Sequence, residues 1–239
     1  AWDKIPDTAK DADGAYYADY TGIMSVGWNA DKYGDISSLD DLLDPKFAGT
    51  VALNGKPAEA GAAFNGYLMA NQLAGGDINN LQPGLDYFKK LKEAGNLTTV
   101  DVTNGTIDSG QTGVVFDWTY NQASYKKELK DKGVNWKYKT FPKAQVVSYY
   151  NQAINKDAPH PAAARLWEEY LYTADAQNLW FKGGANPVLL DSMKEDGTVD
   201  QATLKDAITI EGEPVSYTND DSTRITEWLQ NNWDKTIGN

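Results

Sequence analysis

The amino-acid sequence predicts a mixed α/β protein, and three observations support this class. Short apolar runs typical of strands alternate with amphipathic stretches of helical period along the 239 residues. The composition, 41% apolar and 23% charged, is that of a globular chain that can bury a sizeable core. The strands lie mostly in the first two thirds of the chain and the helices in the last third, which a single sheet with simple alternation would not produce.

Each predicted strand is a short apolar run bounded by turn residues or polar positions. The predicted strands are 21–28, 49–53, 114–118, 136–141 and 146–154. The predicted helices show apolar residues at helical spacing, and several of them stop at glycines. They are 37–43, 58–73, 81–94, 120–132, 161–173, 174–181, 200–207 and 222–233. In the helix 161–173, the stripe formed by Leu166, Trp167, Tyr170 and Leu171 is expected to be core.

Charge and residue counts exclude several classes of function. The formal charge of −12 argues against a nucleic-acid partner, because phosphate backbones require clustered lysine and arginine. The absence of cysteine excludes disulfides, thiolate catalysis and cysteine-based metal sites. A catalytic triad would need the single histidine, His160, which precedes Pro161 at a position typical of a helix N-cap. We therefore expect no cofactor and no bound metal.

No apolar run approaches the roughly 20 residues that span a bilayer. The first residues also lack the basic and then apolar layout of a signal peptide. We therefore expect a chain that is soluble or that has already lost its targeting segment.

Four stretches resemble a known family. SLDDLLDPKFAGTVAL at 38–53 is similar to a signature of extracellular solute-binding proteins of ABC importers, with Leu39 where a tryptophan often stands. GTIDSG at 105–110 precedes a strand, QAINKDAPHPAAARLWEEYL occupies 152–171, and QNLWFKG at 177–183 comes before Asn-Pro, all in the family's order. The sequence resembles the type II subgroup, whose members bind polyamines, thiamine, ferric iron or phosphorylated organics.

The resemblance implies two α/β lobes that close on a ligand bound in the cleft between them. The remainder of lobe one would be 1–24 and 149–239, and lobe two would be 25–148. The family's usual βαβ front has no counterpart before Trp2, so lobe one is expected to be incomplete, with an exposed sheet edge that favours self-association. The implied function is capture and not catalysis, with ABC permease subunits as partners. The implied location is periplasmic, or extracellular with a lipid anchor.

Candidate ligand-binding residues are nominated where aromatic and acidic side chains gather at strand ends. An aromatic wall beside a carboxylate suits an organic cation, since ring faces attract positive charge and the carboxylate accepts N–H bonds. We expect Asp117 to be the counter-charge and the rings of Trp118, Tyr20, Tyr149 and Tyr150 to form walls. These positions are also similar to cleft positions of polyamine-type relatives.

Three further residues near strand ends have less certain roles. Asn54 and Glu59 lie at a strand-to-helix junction, where a helix N-terminus can meet polar ligand groups, although turn chemistry also explains Asn54 and its following glycine. Asp19 is expected to be a solvated turn residue.

Three other functions remain open. A phosphorylated or phosphonate organic could be held by backbone amides at 54–59 and 105–110. Ferric iron is disfavoured, because iron-binding relatives carry adjacent tyrosines where this chain has Asp117 and Trp118. A carbohydrate-active hydrolase would need paired carboxylates among tryptophans, but no pair is singled out by spacing. We therefore expect a protein that is not an enzyme.

Overall fold

The chain forms two compact units, and each is described by itself. The structure, a computed structural model, describes residues 1–210 and 213–238. Unit 1 consists of Ala1–Ile23 and Ser148–Ile210. Unit 2 consists of Met24–Val147 together with the described residues from 213 onwards.

The elements follow the α/β alternation that the sequence predicts. The strands are β1 (Tyr17–Asn29), β2 (Val51–Leu53), β3 (Val114–Trp118), β4 (Trp136–Lys139), β5 (Val147–Gln152) and β6 (Asn186–Pro187). The α-helices are α1 (Ala30–Tyr33), α2 (Gly61–Leu73), α3 (Gln82–Glu93), α4 (Asn104–Asp108), α5 (Thr119–Lys130), α6 (Pro161–Leu171), α7 (Ala174–Lys182), α8 (Leu190–Glu195), α9 (Gln201–Asp206) and α10 (Asn219–Thr236). Short 3-10 helices occupy Trp2–Lys4, Asp7–Ala9, Asp40–Leu43, Pro45–Phe47 and Pro142–Ala144.

Strand β1 is the longest strand and pairs with four others. In unit 1 its first half pairs with β5 and with β6, where Tyr20 lies opposite Pro187. In unit 2 its second half runs antiparallel to β3 and β4, and the strand order there is β2-β3-β1-β4. Nearly every residue of β1 is buried, which explains its continuous apolar and small-residue sequence.

The core of unit 2 is aromatic and includes the C-terminal helix. Ile225, Leu229 and Trp233 recur at helical spacing on α10 and are all buried. The Trp233 ring lies 5.2 Å from Phe88 and 6.0 Å from Tyr67, measured between ring centroids. The prediction that the whole of 149–239 belongs with the first lobe is therefore wrong for its last part, because the apolar stripe of α10 packs into unit 2.

The core of unit 1 is smaller, and it corrects a second expectation. Of the α6 stripe predicted to be core, only Leu171 is buried, at 3% exposure. Leu166 is 73% exposed, Trp167 is 57% exposed and Tyr170 is 45% exposed. The helix face that packs into unit 1 carries Leu171 and the buried Glu168, whose carboxylate accepts a hydrogen bond from Tyr17. Periodicity located the apolar face correctly but gave no information on what covers it.

Most predicted helices agree with the structure to within a few residues, and the main exceptions are short. The segment predicted as a helix at 37–43 forms only the 3-10 helix Asp40–Leu43. The Asp41 carboxylate accepts the backbone amides of Ser37 and Ser38, and these bonds lower its pKa to about 2. The turn at the serines is thus held by a side chain, so the chain does not enter a longer helix there. The short helices α1, α4 and α8 and the two-residue strand β6 were not predicted.

His160 lies at the N-cap of α6 and Pro161 is the first helical residue, which confirms the predicted placement. The imidazole makes no capping hydrogen bond to the helix. Within residues 1–210 and 213–238, none of the helices combines the length and apolarity that a membrane crossing requires.

Gly27 on β1 provides a test of packing in unit 2. A Cβ atom at this position would lie 2.0 Å from the Gln122 side-chain oxygen and 2.7 Å from the Trp136 indole nitrogen. Those two groups are joined by a buried 2.8 Å hydrogen bond. We predict that Gly27→Ala lowers the free energy of unfolding by roughly 2–4 kcal/mol, from overpacking and from disruption of that bond.

Urea denaturation followed by circular dichroism measures this effect. Gly61→Ala is the matched control, because a Cβ there meets no atom within 4 Å. Its free energy of unfolding should be unchanged or raised by up to about 1 kcal/mol. Equal stabilities of the two variants would contradict the packing argument.

Candidate functional site

Three aromatic side chains of unit 1 stack into a cluster that we call the aromatic column: Tyr20 on β1, Tyr150 on β5 and Trp180 on α7. The rings of Tyr20 and Tyr150 lie 4.7 Å apart at 10°. The rings of Tyr20 and Trp180 lie 4.5 Å apart at 30°. Pairing of β1 with β5 and β6 places the two tyrosines side by side. The structure therefore brings together two of the predicted ring walls.

The electrostatic environment of the column is negative. Burial, with smaller contributions from Tyr150 and Asp19, raises the pKa of the Tyr20 hydroxyl to about 12. Asp19 is fully buried, and its carboxylate accepts the Tyr20 amide at 2.9 Å and the Gln152 side-chain amide at 2.8 Å. Burial raises the Asp19 pKa, and these hydrogen bonds partly oppose the shift. The expectation that Asp19 is a solvated turn residue is therefore wrong, because β1 extends back to Tyr17 and encloses it.

Trp180 is the column member that sequence reasoning did not nominate. Its ring is half-buried, and its indole N–H is buried without a hydrogen-bond partner among the described residues. The neighbouring strand residue Asn186 is also buried, and its side-chain oxygen has no partner in the described part of the chain. Asn186 uses its amide N–H to bind the Ile208 carbonyl at 3.1 Å. Trp180 lies in QNLWFKG at 177–183 and Asn186 lies in the Asn-Pro pair that follows it. The resemblance of this block to the family was the sequence feature that could have nominated both residues.

Tyr149 does not join the column by any recorded ring contact. It is half-buried and packs against the apolar core of unit 1. Successive side chains of a strand point to opposite faces, so Tyr149 and Tyr150 of β5 lie in different surroundings. Its contact with a ligand stays a prediction.

In unit 2, Asp117 is the centre of a closed hydrogen-bond network. One carboxylate oxygen accepts the Trp118 amide at 2.8 Å and the Asn121 side-chain amide at 2.9 Å. The other accepts the Asn54 side-chain amide at 2.8 Å and the Tyr125 hydroxyl at 2.9 Å. The residue is fully buried, and burial raises its pKa while all four hydrogen bonds oppose the shift. Four donors occupy the acceptor capacity of a carboxylate.

The position of this network follows from the local sequence. Asp117 lies near the end of β3, and Trp118 is the N-cap of α5, so the carboxylate stands at a helix N-terminus where negative charge is stabilised. The Trp118 ring is buried in the core of unit 2 and stacks on Tyr120, with 6.4 Å between ring centroids. Asn54 is half-buried beside Asp117. Direct contact of Asp117 and Trp118 with a ligand is not tested by these contacts and stays a prediction.

The contacts of Glu59 do not connect it to this network. Its side chain is exposed and forms a 3.9 Å ion pair with Lys56, which is also exposed. An exposed pair of this kind contributes little to stability. Across the described ranges of the chain, no group of three or more histidine, aspartate or glutamate side chains is arranged to hold a metal ion.

Comparison with known families identifies the class of protein. Residues 1–207 match the sequence profile described as "Bacterial extracellular solute-binding protein". The chain belongs to this family. Solute-binding proteins of ABC importers bind small ligands and act with permease subunits, and membership implies a periplasmic or extracellular location. A search of the curated proteins finds no match at the threshold applied.

Solved structures show the same fold at low sequence identity. AfuA from Actinobacillus pleuropneumoniae, with fructose-6-phosphate bound, is 20% identical at a TM-score of 0.68, and the match covers 98% of this chain and 73% of AfuA. Iron-bound HitA from Pseudomonas aeruginosa is 20% identical at a TM-score of 0.65, and the match covers 97% of this chain and 72% of HitA. The spermidine/putrescine transporter protein PotD from Streptococcus pneumoniae is 13% identical at a TM-score of 0.68, and the match covers 99% of this chain and 77% of PotD. These matches confirm the predicted α/β fold of type II periplasmic binding proteins and leave the ligand open.

The Asp117 network yields a prediction on stability and its pH dependence. Tyr125→Phe removes one of the four donors, and we expect it to lower the free energy of unfolding by about 1–3 kcal/mol at neutral pH. Tyr138→Phe is the matched control, since no side-chain hydrogen bond of Tyr138 is recorded and burial alone raises its pKa. The control should change the free energy of unfolding by less than about 0.5 kcal/mol.

The effect should depend on pH in a defined direction. Because folding raises the Asp117 pKa, its protonated form contributes stability below its ordinary pKa, and that contribution is lost as pH rises through the raised value. The Tyr125 hydrogen bond favours the ionised carboxylate, so Tyr125→Phe should cost more at pH 7 than at pH 4. Urea titrations at both pH values measure this, and a larger cost at pH 4 would contradict the network as described.

Proposed function

We propose that this protein captures a small organic cation, polyamine-like or thiamine-like, on the aromatic column and delivers it to the permease of an ABC importer. The observation that carries the proposal is the stack of three rings beside the buried carboxylate of Asp19. Stacked ring faces attract a cation, and the nearby negative charge adds to the attraction.

For the unit 2 residues we propose two roles. Asn54 and Trp118 are proposed as ligand contacts of unit 2, and Asp117 holds the Asn54 side chain and the Trp118 backbone amide by hydrogen bonds. Since the carboxylate already accepts four bonds, its proposed role is to hold these neighbours. Glu59 and Tyr149 are proposed only as outer ligand contacts.

A phosphorylated or phosphonate organic is the second candidate, and one observation favours it. The buried indole N–H of Trp180 has no acceptor among the described residues, and a phosphate or phosphonate oxygen would supply one. The fold is shared with AfuA, which was solved with fructose-6-phosphate bound. A ligand that carries both an amine and an acceptor would satisfy Trp180 and the column together.

Ferric iron and hydrolysis are less well supported. Iron binding would use adjacent phenolate ligands, and this chain has Asp117 and Trp118 where the resemblance places them. A hydrolase would need a catalytic carboxylate open to substrate, whereas Asp19 and Asp117 are both fully buried.

A thermal-shift panel tests the proposal. The probes are spermidine, thiamine, fructose-6-phosphate, 2-aminoethylphosphonate and ferric nitrilotriacetate, each added to the protein at several concentrations. We expect one of the cations to raise the melting temperature with saturating dependence, because a ligand that binds only the folded state stabilises it. Incubation with glycoside and ester substrates should give no turnover.

Variants of the column connect binding to the site. Tyr150→Ala removes one ring of the stack, and Tyr20→Ala removes the ring on which Tyr150 and Trp180 both stack. Each should weaken cation binding by roughly 2- to 30-fold. Tyr16→Ala is the control, since this exposed tyrosine of unit 1 has no recorded ring contact with the column. Trp180→Phe keeps a ring and removes the N–H, so it should spare cation binding and weaken binding of the phosphate probe.

Two results would overturn the cation assignment. The first is stabilisation by fructose-6-phosphate alone with strong dependence on the Trp180 N–H, which would establish the second candidate. The second is turnover of a glycoside or ester, which would place the protein in a different functional class.

A further inference from the structure

The chain contains three asparagine–glycine pairs, Asn54–Gly55, Asn65–Gly66 and Asn104–Gly105. This dipeptide is prone to spontaneous deamidation, because glycine has no side chain to obstruct the ring that its backbone nitrogen closes on the asparagine carboxamide. The reaction needs a glycine amide that is free of hydrogen bonds and an asparagine side chain that can turn toward it. The three pairs differ in both respects, and all three lie in unit 2.

The first pair, in the turn between β2 and α2, is held at both reacting groups. The Gly55 amide donates to the Leu53 carbonyl at 2.9 Å. The Asn54 carboxamide donates to the Asp117 carboxylate at 2.8 Å. A Cβ atom on Gly55 would lie 2.5 Å from the Cβ of Ala60, so the turn is also closely packed. Ring closure at this pair would have to break both hydrogen bonds.

The second pair is protected inside helix α2. Asn65 is buried, its amide nitrogen donates to the Gly61 carbonyl at 2.8 Å, and its oxygen accepts from the Tyr217 hydroxyl at 2.8 Å. Gly66 lies in the interior of the same helix, where its backbone amide donates along the helix. Ring closure at this pair would require α2 to unfold.

The third pair lacks this protection. Asn104 and Gly105 are the first and second residues of the five-residue helix α4, and the first amides of a helix have no partner within it. Gly105 is exposed, and its amide has no partner in the ranges that the structure describes. The Asn104 oxygen is also unpartnered there, and its amide nitrogen donates to the Glu128 carboxylate. Because helix ends open more easily than helix interiors, this carboxamide can turn.

We propose that Asn104 is a site of spontaneous deamidation in the folded protein. The Gly105 nitrogen loses its proton to water or hydroxide and bonds to the Asn104 Cγ, while the Cγ–Nδ2 bond breaks and the nitrogen leaves as ammonia with one added proton. Water then adds to either carbonyl carbon of the succinimide ring and opens it. One opening gives aspartate and the other gives isoaspartate, with no oxidation or reduction. The proposal is independent of which ligand the protein binds.

The product changes the contact between α4 and α5. The amide that donated to Glu128 is replaced by a carboxylate, so a hydrogen bond becomes a repulsion between like charges. Isoaspartate also lengthens the backbone by one carbon beside the α4 cap, in which Thr103 and Thr106 exchange side-chain to backbone hydrogen bonds. Deamidation of Asn104 therefore loosens residues 103–108 from α5.

Peptide mapping by mass spectrometry tests the proposal on the 239-residue chain. The protein is incubated at mildly alkaline pH, folded or in urea, and the deamidated fraction of each pair is followed over time. In the folded chain we expect Asn104 to react at least about 10-fold faster than Asn54 or Asn65, which corresponds to about 1.4 kcal/mol in opening free energy. In urea all three should react at similar rates, because the contacts that distinguish them are lost.

Gly105→Ala is the matched variant. A Cβ atom at this position would lie 3.7 Å from the Thr103 hydroxyl, which is an ordinary contact, so the variant should keep the fold while its methyl group obstructs ring closure. Deamidation of Asn104 should then fall to the rate of Asn65. The comparison of the three pairs in the unsubstituted chain stands even if this variant does not fold.

Hydrogen exchange measures the structural consequence. Deamidated protein, separated from the native form by ion exchange, should exchange faster at the amides of 103–108 and at an unchanged rate in β3. Two results would overturn the proposal. The first is a folded chain in which Asn54 or Asn65 reacts as fast as Asn104, and the second is equal exchange at 103–108 in the native and deamidated proteins.

Discussion

The backbone of β1 is the constraint on which the rest of the structure depends. This one strand pairs with β3, β4, β5 and β6, and its partners lie from 86 residues (Trp28 and Val114) to 167 residues (Tyr20 and Pro187) away in the chain. Its first half fixes Tyr20 opposite Pro187. Its second half fixes Ser25 opposite Asp117, and the Ser25 hydroxyl donates to the Asp117 carbonyl at 2.6 Å. Both the aromatic column and the Asp117 network are therefore set by the register of the same strand.

Two buried aspartates show how similar residues acquire different roles. Burial raises the pKa of both Asp19 and Asp117, because desolvation disfavours the charged form. Asp117 accepts four hydrogen bonds, which match the capacity of a carboxylate and make it a support for its neighbours. The Asp19 carboxylate accepts the Tyr20 backbone amide and the Gln152 side-chain amide, and its charge contributes to the raised pKa of the Tyr20 hydroxyl in the column. Sequence reasoning favoured Asp117 as the ligand's counter-charge because it is an acidic residue in an apolar run. The donors that surround its carboxylate come from separate segments and could not be recognised from the sequence.

The sequence predicted the strands and helices that depend on local periodicity. It failed for the burial and the contacts that depend on distant segments of the chain. Strand 114–118 and helices α2, α3 and α5 follow from spacing and stop signals, and the structure confirms them. The α6 stripe was recognised as apolar but wrongly placed in the core, because coverage depends on other parts of the fold. The same limit explains α10, whose buried stripe could serve either unit until its partners Tyr67 and Phe88 are known. Trp180 was missed because its ring partner Tyr20 lies 160 positions away.

Helix α7 links the exposed surface of unit 1 to the proposed ligand site. Its residue Leu179 is exposed, and the next residue, Trp180, stacks on Tyr20. Ligand affinity benefits when the contacting rings are already held in place, since less side-chain freedom is lost on binding. Ala176, Gln177 and Phe181 of α7 are buried in unit 1, and this packing fixes the helix that carries Trp180. The Trp180 ring is therefore held in place on Tyr20 before a ligand binds.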